Sequence, residues 1–254
     1  MIAVAAPPVS STAVARGLTS KEEKRSFVQR LFTRIAPRYD WFNRLASVGL
    51  DQRWRRSVVA RAAIAPGMRV LDVCTGTGDL ALLCAQRQGG LGTVAGADFN
   101  AAMLSRAQRK QRAARLPVTW LQSDAQALPF ADGGFDRVVI GFSTRNLSDL
   151  TAGLREMIRV LRPHGKLLIL ETGRPGNPLM RAGYQIFLCT VAPVIGFVLT
   201  GRFWPFIYLA RSVRHFLTPQ QMVERLQALG TQAQYVPLSG GLASVYVAAK
   251  QEAS

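Results

Sequence analysis

The segment that most limits what this chain can fold into is Val70-Leu71-Asp72-Val73-Cys74-Thr75-Gly76-Thr77-Gly78-Asp79. An apolar run of strand length ends in a glycine-rich turn, and Leu80–Gln88 follows at once with a helical pattern. Glycines in such a turn let a ligand approach the backbone with no Cβ in the way. Gly76-Thr77-Gly78-Asp79-Leu80-Ala81 satisfies G-x-G-x-x-A, a pattern that by itself also fits a dinucleotide site.

The strand–turn–helix unit recurs. Met68–Val73, Thr93–Asp98, Val118–Gln122, Phe135–Phe142 and Lys166–Glu171 read as strands. Leu80–Gln88, Ala101–Ala113 and Leu150–Leu161 read as helices between them. This alternation predicts an α/β fold with a mostly parallel sheet covered on both faces. Pro219–Leu229 predicts a further helix, and Gln232–Pro237 and Ser244–Ala249 two closing strands around Ser239-Gly240-Gly241. Ahead of the glycine turn, Phe27, Val28, Leu31, Phe32 and Ile35 recur at helical spacing, and a second helix is expected over about Gln52–Ala63. The expected organisation is a disordered tail at 1–19 and a single domain over 20–254. Within it, 20–66 forms a helical cap and 175–215 an inserted apolar helical lid. The lid reading rests on Tyr184–Leu209, which is apolar yet interrupted by Pro193, Gly196, Gly201, Arg202 and Pro205. Ala182–Gly201 carries no charge and approaches the length of a membrane span, but its central Pro193 and Gly196 argue against a simple one.

Charge separates the ligands that the glycine turn could take. A pyrophosphate needs unopposed N–H donors at the helix N-terminus. Here Asp72 closes the strand and Asp79 opens the helix, and like charges about 4 Å apart repel by about 4 kcal/mol at an effective dielectric near 20. The same carboxylates suit a cation, and S-adenosyl-L-methionine carries both a sulfonium and an ammonium. Asp98, at the end of the next strand, is placed to accept two ribose hydroxyls. Ser123-Asp124-Ala125, after the third strand, falls where an adenine amine would lie. Asp79 also reads as an ordinary acid in a helix's first turn, and Asp124 as a turn residue.

Composition excludes several classes. Cys74, Cys84 and Cys189 form no C-x-x-C pair, which excludes a zinc ribbon and a disulfide framework and fits a reducing cytoplasm. With only His164 and His215, zinc hydrolases and His-based triads are excluded, and no metal ligand is assigned. The formal net charge of +17 favours an anionic partner. The basic residues are scattered and no RNA-binding motif accompanies them, so an anionic membrane surface is expected rather than nucleic acid.

Two blocks carry a closer resemblance. Tyr39-Asp40-Trp41-Phe42-Asn43-Arg44-Leu45-Ala46-Ser47, continuing to Trp54, is similar to the Y-D-x-M-N…S…H-x-x-W signature of the UbiE/MenG family of quinone C-methyltransferases. Arg159-Val160-Leu161-Arg162-Pro163-His164-Gly165-Lys166 resembles that family's R-V-L-K-P-G-G, and Arg145-Asn146-Leu147 its G-x-R-N segment. The likeness spans about residues 25–250. Phe42 stands for the usual Met, Asp51 for His, Gly141 where Ser is common, Asp124 where Asn is common, and His164 for Gly.

The resemblance implies a class I S-adenosylmethionine-dependent methyltransferase: a Rossmann-like, mostly parallel seven-stranded sheet with an antiparallel edge strand. It implies cofactor contacts from Thr77, Asp98, Asp124 and Ala125, with Gly141 at a further contact position, beside the Asp72, Gly76 and Gly78 expected from the strand end and glycine turn themselves. It implies C-methylation of a polyprenyl quinol in menaquinone or ubiquinone biosynthesis. The expected catalytic set is Arg145 stabilising a phenolate, Asn146 orienting the ring, Tyr39, and Asp40 or an ordered water taking the proton. The apolar lid would admit the prenyl tail and rest on the inner face of the membrane, with Arg202, Arg211 and Arg214 beside anionic lipid. A homodimer or a quinone-biosynthesis complex is the other use of that stretch. Another lipophilic acceptor, or a basic nucleic-acid-binding role, is the alternative reading of the whole.

Overall fold

A computed structural model describes residues 20–252; the tail expected at 1–19 lies outside them. Three helices precede the glycine turn: α1 (Lys21–Ile35), α2 (Tyr39–Ala46) and α3 (Leu50–Ala62). Ser20 starts α1 through a capping box, its hydroxyl accepting from Glu23 N while the Glu23 carboxylate accepts from Ser20 N. Where one helix was expected after α1 there are two. Val48 and Gly49 both take positive φ, 51° and 77°, and separate α2 from α3.

The sheet runs β1 (Arg69–Val73), β2 (Thr93–Asp98), β3 (Thr119–Gln122), β4 (Phe135–Gly141), β5 (Leu161–Thr172), β6 (Thr231–Leu238) and β7 (Ala243–Lys250). Their spatial order is β3-β2-β1-β4-β5-β7-β6. The first five pair in parallel, and β7 runs against both β5 and β6. The reversed strand thus sits one place in from the edge that β6 closes. Strand alternation divides the core. Leu167 and Ile169 face one layer with Met157 and Met222, while Leu168 and Leu170 face the other with Val58 and Cys84. Those layers belong to α6 (Leu150–Arg159) and α10 (Pro219–Gln227) on one side, and to α3 and α4 (Asp79–Gln88) on the other. Helix α5 (Ala101–Ala114) joins β2 to β3.

Strand β5 begins five residues before the expected Lys166, with Leu161 paired to Phe135 and Lys166 to Arg137. The residues between bulge outward, and His164 holds φ 60° there. That is a left-handed conformation which the family's glycine adopts without strain.

The apolar insertion is helical. Helix α7 (Pro178–Ile186) passes through a wider π-turn at Phe187–Val191 into α8 (Ala192–Thr200), and α9 (Trp204–Arg214) folds back. Pro193 has no N–H to return to the preceding turn, and the widened turn next to it accommodates that loss. A Cβ on Gly196 would lie 1.9 Å from the Phe206 ring, so the glycine is what lets α8 and α9 touch. The insertion packs on the N-terminal helices through Ile35, Phe42, Ala192 and Phe206.

Candidate active site

The C-terminal ends of β1, β2 and β4 open onto a cavity. Asp72, Gly76, Thr77, Asp98, Asp124, Ala125 and Gly141 line it, as the sequence reading expects. Gly78 shapes the turn from behind. At φ 84°, a Cβ there would come within 2.6 Å of Trp120 and 2.9 Å of Ala107. Gly141 has room for the family's serine, since its Cβ would meet only Leu80, at 3.7 Å.

Two carboxylates are built into this floor. Asp98 Oδ2 accepts from Gly76 N and Oδ1 from Asn100 N, both at 2.8 Å. Asp72 Oδ2 accepts from the Thr75 hydroxyl at 2.6 Å and from Ala81 N at 3.0 Å. Burial pushes Asp72 up to about 7 and Asp98 up to about 6, against the hydrogen bonds that favour ionisation. Asp72 Oδ2 is filled by its two donors, while Asp72 Oδ1 and both Asp98 oxygens keep a lone pair for a ligand donor. The site therefore fits a ligand that brings positive charge and hydroxyl donors.

Asp79 differs from the expectation. Its carboxylate is 2.5 Å from Lys110 Nζ and takes a 3.2 Å bond from Gln52. Burial would raise its pKa, but Lys110 and Arg55 outweigh burial and hold it low. Lys110 also reaches Asp40 at 2.8 Å and the Thr77 hydroxyl at 2.9 Å, while Thr77 Oγ1 donates to Asp40 at 2.6 Å. Asp40, expected as a proton acceptor, thus accepts from Thr77 on Oδ1 and pairs with Lys110 through Oδ2, and its side chain lines neither cavity. Asp40 instead latches α2 to the glycine turn.

The N-terminal helices roof the cavity with Val28, Phe32 and Tyr39. Arg25 bridges to Asp124 at 3.1 Å, and Lys21 to Asp149 at 2.7 Å. Lys24 is buried and donates to the carbonyls of Arg145 (3.3 Å) and Leu147 (2.5 Å), and burial lowers its pKa to about 8.

A second cavity adjoins the first, sharing Phe32, Tyr39 and Asn146 with it. Phe42, Trp54, Phe142, Phe206 and Leu209 give it an apolar lining drawn from α2, α3, β4's end and α9. Its polar lining includes Tyr39, Asn43, Asp51, Arg145 and Asn146. Phe32, Tyr39 and Asn146 line both cavities and form the wall between them. Burial raises the Tyr39 hydroxyl's pKa. Arg145 is buried against the carboxylate of Glu171, and its Nη1 also donates to Phe142 O at 2.8 Å. Glu171 is fully buried and receives the Thr144 hydroxyl at 2.7 Å.

Tyr39, Arg145 and Asn146, expected from the sequence as catalytic residues, line the second cavity together. The sequence reading missed Lys110, Lys24, Arg55 and the role of Glu171. For Glu171 the signal was present, an acid closing a buried strand opposite a lone Arg. Lys24 and Lys110 stand in charged helical runs and carry no such signal.

Known proteins settle the family. The ubiE/COQ5 methyltransferase family matches residues 18–250. The chain belongs to that family. A demethylmenaquinone methyltransferase of Thermus thermophilus is 42% identical over 85% of this chain and 98% of its own length. The ubiquinone/menaquinone biosynthesis C-methyltransferase UbiE of Geotalea uraniireducens is 40% identical over 92% of this chain and 99% of its own. Among solved structures, a putative S-adenosyl-L-methionine-dependent methyltransferase from Methanococcus maripaludis shares the fold. Its TM-score is 0.63 at 18% identity, covering 87% of this chain and 94% of that one. As a ubiE/COQ5 family member the protein is a methyltransferase that uses S-adenosylmethionine.

Proposed function

We propose that this enzyme methylates a ring carbon of a polyprenylated naphthoquinol or benzoquinol, in menaquinone or ubiquinone biosynthesis. The observation that carries the reading is the second cavity, lined mostly by apolar side chains together with Arg145 and sharing Phe32, Tyr39 and Asn146 with the cofactor cavity. The names of the relatives point the same way.

When bound, S-adenosylmethionine would supply a methyl group carried on a sulfonium. The residues around it bind, align and exclude water. Asp98 receives ribose hydroxyls, Asp124 the adenine amine, and Asp72 the positively charged end. A quinol carbon becomes nucleophilic when the neighbouring hydroxyl ionises, and phenols titrate near pH 10. Arg145 is the cation lining the acceptor cavity, and it stabilises the phenolate while Glu171 fixes its orientation. Asn146 and Tyr39 orient the ring from the shared wall; water takes the hydroxyl proton and then the ring C–H proton that the new methyl displaces, whose loss restores the aromatic ring.

We also place the enzyme on the cytoplasmic face of an anionic membrane. Supporting this, Leu179, Ile186, Val194 and Val198 are exposed on the insertion, Trp41 and Leu45 on the adjoining α2, and Val48 in the turn that follows it. From Thr172 to Val223 the sequence has no acidic residue, yet carries Arg174, Arg181, Arg202, Arg211 and Arg214. Helix Pro178–Thr200 is long and apolar enough to cross a membrane, but its fold-back into α9 and its packing on α2 favour lying along the surface.

The test is methyl transfer from labelled cofactor to demethylated quinol in vesicles. Labelled methylquinol is the expected product, and none formed with either ring type would refute the acceptor. Flotation with anionic but not neutral vesicles, weakened by salt, is expected; no flotation would refute the membrane placement.

A further inference from the structure

Arg55 stands in an unexpected place for a cation. Its guanidinium lines the cofactor cavity, is only 7% exposed, and sits over the Phe142 ring at 5.5 Å. Left uncompensated, it would repel a sulfonium and an ammonium. Its charge is felt at the floor, where it opposes the upward push of burial on Asp72 and Asp79.

Asp51, one helical turn earlier on α3, supplies the compensation. Its Oδ2 lies 2.7 Å from Arg55 Nη1, and the residue is 4% exposed. Both of its oxygens are held, Oδ1 by the Ser47 hydroxyl and Oδ2 by the Gln52 amide, each at 3.1 Å; Arg44 Nε lies 3.5 Å from Oδ1. So fixed, it suits a charge partner better than a base. Asp51 lines the acceptor cavity and Arg55 the cofactor cavity, so the pair runs through the partition between them. The family signature has histidine at this position, a side chain that carries no negative charge. Here it is an anion.

We propose that Asp51 is a positioning residue that holds Arg55 and cancels its charge, and so sets how strongly the cofactor cavity prefers the cationic methyl donor to its neutral thioether product. The two ligands differ at sulfur by one methyl and one positive charge. A change of field there therefore acts on the donor and largely spares S-adenosylhomocysteine. The inference rests on the cofactor occupying the first cavity.

The test is calorimetric binding of S-adenosylmethionine and S-adenosylhomocysteine at about pH 8, where Asp72 and Asp98 are mostly ionised. Asp51→Asn should shift the ratio of the two dissociation constants about five- to tenfold toward the thioether. Arg55→Met should shift it toward the donor. The double variant should return within about twofold of the starting ratio. Should Asp51→Asn fail to fold with its buried guanidinium unpaired, Arg55→Met and the double variant still decide. An unchanged ratio in Asp51→Asn, or equal effects of Arg55→Met on both ligands, overturns the proposal. Asp98→Asn tests the placement separately and should weaken both ligands alike. If it weakens neither, the cofactor lies elsewhere, and the proposal falls with that placement.

Discussion

Cofactor binding should be linked to protons through the two floor carboxylates. Burial sets Asp72 at about 7 and Asp98 at about 6. At about pH 8 both are largely ionised. At about pH 6 roughly one-tenth of Asp72 and half of Asp98 are, so the doubly ionised fraction is about 5%. A cationic ligand held by that form should bind about twentyfold more weakly at pH 6, or about 1.8 kcal/mol. Without ligand the sign reverses. A raised carboxylate pKa means the folded state holds its proton more tightly than the unfolded chain. That stability is complete below about pH 4 and is lost as pH rises through about 7, by up to about 4 kcal/mol for Asp72. Calorimetry in buffers of different ionisation enthalpy would read the affinity and the protons released together. Thermal melts of the ligand-free protein across the same range would read the second effect. Asp72→Asn should flatten both profiles. Equal affinity at about pH 6 and pH 8 with no proton release, or an unchanged profile in Asp72→Asn, would refute the reasoning.

Three further perturbations have defined outcomes. Gly78→Ala puts a Cβ against Trp120 and Ala107 at positive φ; denaturant titration should show a loss of about 2–4 kcal/mol, with weakened cofactor binding. Lys110→Met removes the contacts to Asp40, Asp79 and Thr77. Because Lys110 is partly exposed, the stability loss should be near 1 kcal/mol, but amide exchange across Lys21–Ala46 and cofactor dissociation should both quicken several-fold. Arg145→Ala strands the buried Glu171 carboxylate and should lose about 3–5 kcal/mol in thermal or chemical unfolding. Adding Glu171→Gln should recover much of that stability without restoring turnover.

The sheet was legible because its signals are local and periodic: five apolar runs, three helical patterns between them, and a glycine turn opening directly into a helix. The first break in the helices was not, because Val48 adopts a positive φ that its own chemistry disfavours. At the site, Asp72 and Asp98 could be read from their places at strand ends. Arg55 could not, since it sits in Arg53-Trp54-Arg55-Arg56, where only packing decides that Arg53 and Arg56 face solvent and Arg55 faces inward. Lys110 was hidden in the same way among Arg109, Gln111 and Arg112. The argument from Asp79's charge weakened accordingly, because Lys110 already compensates it. The preference for a cation rests on Asp72 and Asp98.

The wall between the cavities has a kinetic consequence. Phe32 and Tyr39 reach it from the N-terminal helices, and Asn146 from the turn after β4, a turn held by Lys24 of those same helices. Swinging the helices aside to discharge a spent cofactor would dismantle the acceptor's chamber in the same stroke. The two ligands share one door frame, so neither can be exchanged by that route while the other stays fully enclosed.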